Sequence, residues 1–208
     1  CGCFLMMSIH LFAFLCMILT VKSDIQGWIN EFHYRNYKKD QNLFLEIVGP
    51  VGKEAWEYLI VLYQGRDGSQ FNEALSLSGF SFSSGIVGDF GFIKYSLPNK
   101  KGAIRNGKVG SDGIALVYNE KCIQFLCYGE DDESIFTAWS GPCYGKTCQN
   151  IGVHEFSYNP LGKSIQMIGI GRFMENFTWS KTTMDWTPGE INVDQTLQTE
   201  EEYLMAKK

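Results

Sequence analysis

The feature that most restricts the fold is a succession of short apolar runs, β-branched or aromatic, each closed by a turn signal, with no sustained helical period before the C-terminus. Tyr58-Leu-Ile-Val-Leu-Tyr63 reads as a strand. It is followed by Gly65-Arg-Asp-Gly68, whose Asp-Gly pair tolerates the positive φ angles of tight turns, so a hairpin into Phe71–Leu77 is expected. The same reading places strands at Trp28–Tyr34, Leu43–Val48, Gly91–Ser96, Gly113–Tyr118, Lys121–Tyr128 and Ser164–Ile168, with Tyr118-Asn-Glu-Lys121 as a second hairpin turn. About eight short strands with polar turns predict an all-β protein built as a two-sheet sandwich.

No repeat or linker divides the chain, so one domain is expected over residues 24–196, followed by a charged tail at 197–208. In Gln198–Lys208 the acids lead and the lysines trail, the order a helix dipole favours, and the segment reads as either a short terminal helix or a frayed tail.

At the other end, Leu11–Leu19 is an apolar run well short of the ~20 residues that span a bilayer, with Val21-Lys22-Ser23 behind it as a cleavage site. Residues 1–23 are therefore read as a secretory signal and Asp24 as the mature start, against the alternative of a short membrane anchor or buried helix. The chain opens on Cys1, and Met6 or Met7 is the expected initiation residue. No later segment is long and apolar enough to span a membrane, so the expected product is secreted and extracellular.

Loss of the signal removes one Lys and no acid, leaving an acidic chain whose full-length net charge is −5. An acidic chain without a basic stripe is a poor nucleic-acid binder, because that affinity comes mainly from Lys and Arg on phosphates. Glu130-Asp131-Asp132-Glu133 reads as a solvated loop, with attraction of divalent cations as the alternative.

Three of the seven cysteines fall in or before the signal, leaving Cys122, Cys127, Cys143 and Cys148 in an oxidising compartment. Cys122 and Cys127 lie on one predicted strand and point to opposite faces, roughly 16 Å apart, too far to pair with each other. Two arrangements stay open: both tied to the loop that carries Cys143 and Cys148, or a local Cys143–Cys148 bridge with two free thiols. Zinc is disfavoured because C-x₂-C pairs are lacking and only His33 and His154 remain in the mature chain. Asn176-Phe-Thr178 is a glycosylation sequon, and the secretory route makes Asn176 a candidate site.

Neither G-x-S-x-G, H-E-x-x-H nor a P-loop occurs. Ser83-Ser84-Gly85 reads as a loop, and His33 and His154 as hydrogen-bonded residues more than as acid–base groups. The notable constellation is Glu31, Glu46 and Asp112: two carboxylates in mid-strand and one at the mouth of another strand. A buried carboxylate is costly unless it is paired, hydrogen-bonded or bound to a cation. Three readings compete: the carboxylates tie loops down through backbone N–H groups, face solvent, or supply oxygen ligands to calcium. No cofactor is otherwise expected. Trp56, Trp139, Trp179 and Trp186 are read as core or rim packing first and as carbohydrate or protein contacts second.

The blocks WINEFHYRN, FLEIVGP, YLIVLYQGRDG, SDGIALVYNEKCIQFLCYGE, FTAWSGPCYGKTCQNIGVHE, and PLGKSIQMIG through WTPGEINVDQT occur in one order over residues 28–196. Together they resemble the lamin-tail-like domains attached to secreted bacterial nucleases and phosphoesterases. That resemblance implies an immunoglobulin-like sandwich acting as an accessory module, with nuclease chemistry in a separate domain. Cys127 and Cys148 depart from the family pattern, standing where small hydroxyl residues are expected. Because Glu31 and Glu46 fall in the first two shared blocks, the resemblance favours a structural role for them.

The expectation is a secreted, non-catalytic sandwich with a structural, adhesive or binding role toward an extracellular protein, carbohydrate or mineral surface, either alone or as a homo-oligomer. A secreted nuclease or phosphoesterase relative and a soluble small-ligand carrier are the alternatives.

Overall fold

The computed structural model describes residues 25–37, 39–97, 104, 111–129 and 135–208. The proposed signal at 1–23 and the acidic cluster at 130–133 lie outside these residues.

The first half of the chain folds into β1 (Trp28–His33), β2 (Phe44–Pro50), β3 (Tyr58–Gln64), β4 (Ser69–Ser76), β5 (Ser84–Val87) and β6 (Phe90–Ser96). The second half adds β7 (Asp112–Tyr118), β8 (Lys121–Tyr128), β9 (Gln149–Asn150), β10 (Lys163–Gly171), β11 (Phe177–Trp179), β12 (Met184–Asp185) and β13 (Gln195–Leu197), ending in the helix α1 (Glu200–Met205). They form two sheets. The first runs β11-β10-β1-β2-β6-β5, with β12 and β13 also on β10, and the second runs β4-β3-β7-β8-β9.

The two sheets pack face to face, as the strand pattern predicts. Ile29, Phe32, Leu45, Ile47 and Ile93 of the first sheet meet Ile60, Leu62, Ile114, Leu116 and Leu126 of the second in one buried cluster. Both predicted hairpins form. Asn119 and Glu120 take φ of 47° and 62°, the double positive-φ geometry that suits a two-residue turn between twisted strands. In the other turn Gly68 has φ 68°, and the Asp67 carboxylate accepts from Ser69 N and Ser69 Oγ, which holds its pKa down to about 2.

Several elements go beyond the expectation. Ser84 and Gly85, read as loop, open β5, and β9, β11, β12 and β13 are too short to give a periodic signal. The terminal segment is helical: Thr199 Oγ1 accepts from Glu202 N, Glu202 Oε2 accepts from Thr199 N, and three acids occupy the first turn. Among the described residues no helix is long and apolar enough to cross a membrane.

Both outer faces are covered over their central strands as well, while the edge strands β4 and β5 stay exposed or only partly buried. Strand β1 is buried at every position, and β2 at all but its last, because a second layer lies outside them. Residues 184–199 enter at β12 and leave at β13, both paired with β10, and between them cross the outer face of the first sheet as a strap. Residues 135–150 lie over the outer face of the second before joining its edge as β9. Each covered face has its own apolar cluster: Trp28, Val48, Phe90 and Phe92 with Leu197 of the strap itself, and Val61, Tyr63, Ala115, Val117 and Phe125 under the other cover.

Candidate functional site

Glu31 and Glu46 face each other as direct cross-strand partners on the strap side of the first sheet, both with no solvent exposure. A β-bulge at Ile29/Glu31 resets the register so that Glu31 shares a face with Glu46 while Phe32 still enters the core. Like charges in direct opposition are unfavourable. The surroundings supply donors instead. Glu31 Oε1 accepts from Ser164 Oγ at 2.6 Å, Gln166 Nε2 at 3.2 Å and Thr187 N at 2.9 Å, and Oε2 accepts from Thr187 Oγ1 at 3.0 Å. Glu46 Oε1 accepts from Asn30 Nδ2 at 3.0 Å, and Oε2 accepts from Gly189 N at 2.6 Å.

A second tier of amides extends this network along the strap. Asn192 Nδ2 donates to the carbonyls of Asn30 and Met167, Gln195 Nε2 donates to Asn30 Oδ1, and Val193 N donates to Gln166 Oε1. The strap also passes within van der Waals range of β5, where a Cβ added at Gly85 would collide with the Gly189 carbonyl oxygen. At its far end the nearly buried Arg172 guanidinium bridges Asp89 Oδ2 and the Gln198 carbonyl, while Glu200 N donates to the same Asp89 oxygen. Burial drives the Glu31 pKa up, opposed by its hydrogen bonds, and drives Glu46 well up, with the Glu31 charge adding to the shift.

A third buried carboxylate lies nearby. Glu155 Oε1 meets His33 Nδ1 at 2.7 Å, and Oε2 accepts from Tyr34 N and Arg35 N at 2.7 and 2.8 Å, with both side chains wholly buried. Tyr34 closes the loop, its hydroxyl accepting from Glu155 N at 2.8 Å. Burial raises the Glu155 pKa against these bonds. Burial opposes protonation of His33, but the hydrogen bond and charge of Glu155 outweigh it, so His33 is raised too. Within the pair each group favours the charged form of the other, Glu155 raising His33 and His33 lowering Glu155 against the larger effect of burial.

Asp112, the third predicted ligand, sits on β7 in the other sheet, where its Oδ1 accepts from Gly65 N. The structure therefore joins Glu31 to Glu46 and leaves Asp112 apart. The groups that contact the pair are hydrogen-bond donors, and among the described residues no three His, Cys, Asp or Glu side chains are placed to hold a metal ion. His154 is partly exposed and meets Phe156 edge-on, at a centroid distance of 4.0 Å.

The cover on the second sheet is fixed by covalent bonds. Cys122 joins Cys143 and Cys127 joins Cys148, so each strand cysteine reaches the loop and the local Cys143–Cys148 alternative is excluded. Tyr63 Oη accepts from Cys143 N, and Lys146 Nζ donates to the Cys122 carbonyl.

The packing expectation holds for two of the four tryptophans. Trp179 packs against buried core residues and Trp186 lies edge-on to His33 and Phe44. Trp56 and Trp139 are instead 65% and 70% exposed, since neither belongs to a strand and nothing lies over them. Asn176 ends a short 3-10 turn, where its Oδ1 accepts from Arg172 N and Phe173 N.

Sequence reasoning missed Glu155 and the strap residues Thr187, Gly189, Asn192 and Gln195. The signal for Glu155 was present, since Val153-His-Glu-Phe156 again sets one carboxylate among apolar and aromatic residues. The strap gave no such signal, because its polar residues look like those of any loop. Comparison with protein-family models, with characterised proteins and with solved structures finds no match.

Proposed function

We propose that this chain is a lamin-tail-like module of the extracellular space, without catalytic activity, whose role is structural, adhesive or binding. One observation carries the reading: every carboxylate oxygen of the buried Glu31–Glu46 pair is occupied by donors from the strap or its neighbouring strands. Groups that could do acid–base or metal chemistry are thereby consumed in holding the outer layer to the sheet. The paired cysteines suit an oxidising compartment. The ordered blocks that resemble the lamin-tail-like family supply the rest of the argument.

Fractionation of the native protein from its source is the direct test. Retention in an insoluble extracellular material supports the adhesive reading, and release by a chelator would add a bridging divalent cation to it. Free solubility, or cleavage of plasmid DNA with magnesium or calcium that Glu46→Gln abolishes, would overturn it. Glycosylation at Asn176 belongs to the same proposal, since secretion exposes the sequon to the transferase and Thr178 is exposed. A glycosidase-sensitive mass shift that disappears in Asn176→Gln is the expected result.

A further inference from the structure

Where the strap begins, Trp186 and Pro188 stand opposite Phe44 of β2 and Lys94 and Ser96 of β6, with Asn42 at the rim, around a cleft of about 400 Å³. That volume lies in the range of small-ligand sites. Its walls are already held in place. The Trp186 ring meets His33 edge-on at 5.8 Å and Phe44 at 6.1 Å, and Trp186 N donates to the Gly162 carbonyl. The Lys94 ammonium lies 5.8 Å from the Phe44 ring centroid on the exposed side.

Lys94 also has no carboxylate partner among the described residues. Its cross-strand neighbour is Glu46, both of whose oxygens are taken by Asn30 and Gly189. The cleft therefore combines fixed aromatic surface, one uncompensated cation, a hydroxyl and a carboxamide. An apolar ligand would waste the cation. A bare anion would find a single ammonium and gain nothing from the indole.

We propose that this cleft binds an anionic sugar ring, with its C–H face against Trp186, its carboxylate or sulfate on Lys94, and its hydroxyls on Ser96 and Asn42. The chemistry follows from the parts. Indole offers a broad apolar plane for ring C–H groups, Lys supplies a compact point charge that accepts either acid group, and the hydroxyl and amide each both donate and accept. The inference rests on the reading of the chain as an extracellular binding module, and it names the ligand class and the site.

The secreted protein with its disulfides intact is titrated calorimetrically with three oligosaccharides of equal length: one containing uronic acid, one bearing sulfate esters and one uncharged. The charged sugars should bind at least about tenfold more tightly than the neutral one, and whichever binds better identifies the acid group. Lys94→Gln should weaken binding roughly tenfold while leaving the unfolding midpoint unchanged. Trp186→Phe should retain part of the affinity that Trp186→Ala loses. Equal binding of neutral and charged sugars, no binding by the wild type, or full affinity in Lys94→Gln would overturn the inference. Wild-type protein retained in the extracellular material but blind to all three sugars would remove the cleft proposal and leave the adhesive reading standing. Sugar binding by a freely soluble protein would do the reverse.

Discussion

The two sheets carry outer layers of similar extent fixed by different chemistry. Over the second sheet, two disulfides tie residues 135–150 to β8, and the cluster beneath is largely apolar. Over the first, residues 184–199 are held by hydrogen bonds to buried carboxylates and amides, next to an apolar patch around Trp28 and Phe90. A covalent tie acts chiefly on the unfolded chain, by limiting its freedom. A carboxylate network acts on the folded chain alone, and it fails all at once if its donors leave, because uncompensated buried charge remains. The covalent ties should therefore be dispensable at some loss of stability, and the hydrogen-bonded strap should not.

Truncation after Lys181 tests this most severely. It removes the donors Thr187 and Gly189 and uncovers Trp28, Val48, Phe90 and Phe92, and the expected product has no cooperative thermal transition and no dispersed amide spectrum. Retention of a native-like spectrum would show the strap to be an accessory.

Replacement of Cys122 and Cys143 by Ala should leave a folded protein less stable by about 3 kcal/mol, from the loop-closure entropy of a bridge spanning 21 residues. Because the two loops overlap in sequence, the remaining bridge shortens the effective loop, so loss of the first bridge should cost less than loss of the second. Denaturant midpoints of the single and double bridge mutants measure both effects.

Gly85→Ala addresses the strap without removing any of its hydrogen-bonding groups. Gly85 has φ 50°, and the new methyl group would collide with the Gly189 carbonyl, so a destabilisation of about 1–3 kcal/mol is expected. Amide exchange should rise in residues 187–195 before it rises in the disulfide-tied cover. Uniform exchange across both covers would erase the distinction between them.

The pH dependence is the mildest probe. Glu31, Glu46 and Glu155 are raised from 4.5 by burial, and His33 is raised from 6.5 through Glu155. In each case the native state binds its proton more tightly than the unfolded chain does. Their contribution is therefore complete below the unfolded pKa and declines as pH rises through the native one. Unfolding midpoints should fall as pH rises above the ordinary carboxylate range and on through that of histidine, and Glu46→Gln should flatten that slope, with the wild type gaining most over the variant in acid. An unchanged slope would mean that the pair does not titrate in this window.

Much of the fold was legible because strand signals are local. β3, β7 and β8 announce themselves through runs rich in aliphatic, β-branched and aromatic residues, and the turn at Asn119-Glu120 lies between two such runs. The lone carboxylates of β1 and β2 were legible as an anomaly, and the loop-tying reading of them matches where Glu31 and Glu46 lie. Asp112 also accepts a backbone N–H, from Gly65 of a turn, but it does so in the other sheet, since position along a strand says nothing of which sheet the strand joins. The exclusion of a Cys122–Cys127 bridge followed from strand rise, but the expectation that the two point to opposite faces fails, because a register shift opposite Leu116/Val117 turns both toward the outer cluster. The choice of partners across the loop was not legible.

By itself, then, the sequence determined the longer strands, the turns between them and the presence of charges that needed partners, because each is set by neighbours a few residues away. Only the tertiary structure decided what those partners are: Thr187 lies 156 residues from Glu31 and Gly189 lies 143 from Glu46. Donors of that kind are ordinary loop groups, and they acquire a role only when the closing of two sheets and their outer layers excludes the water that would otherwise take their place.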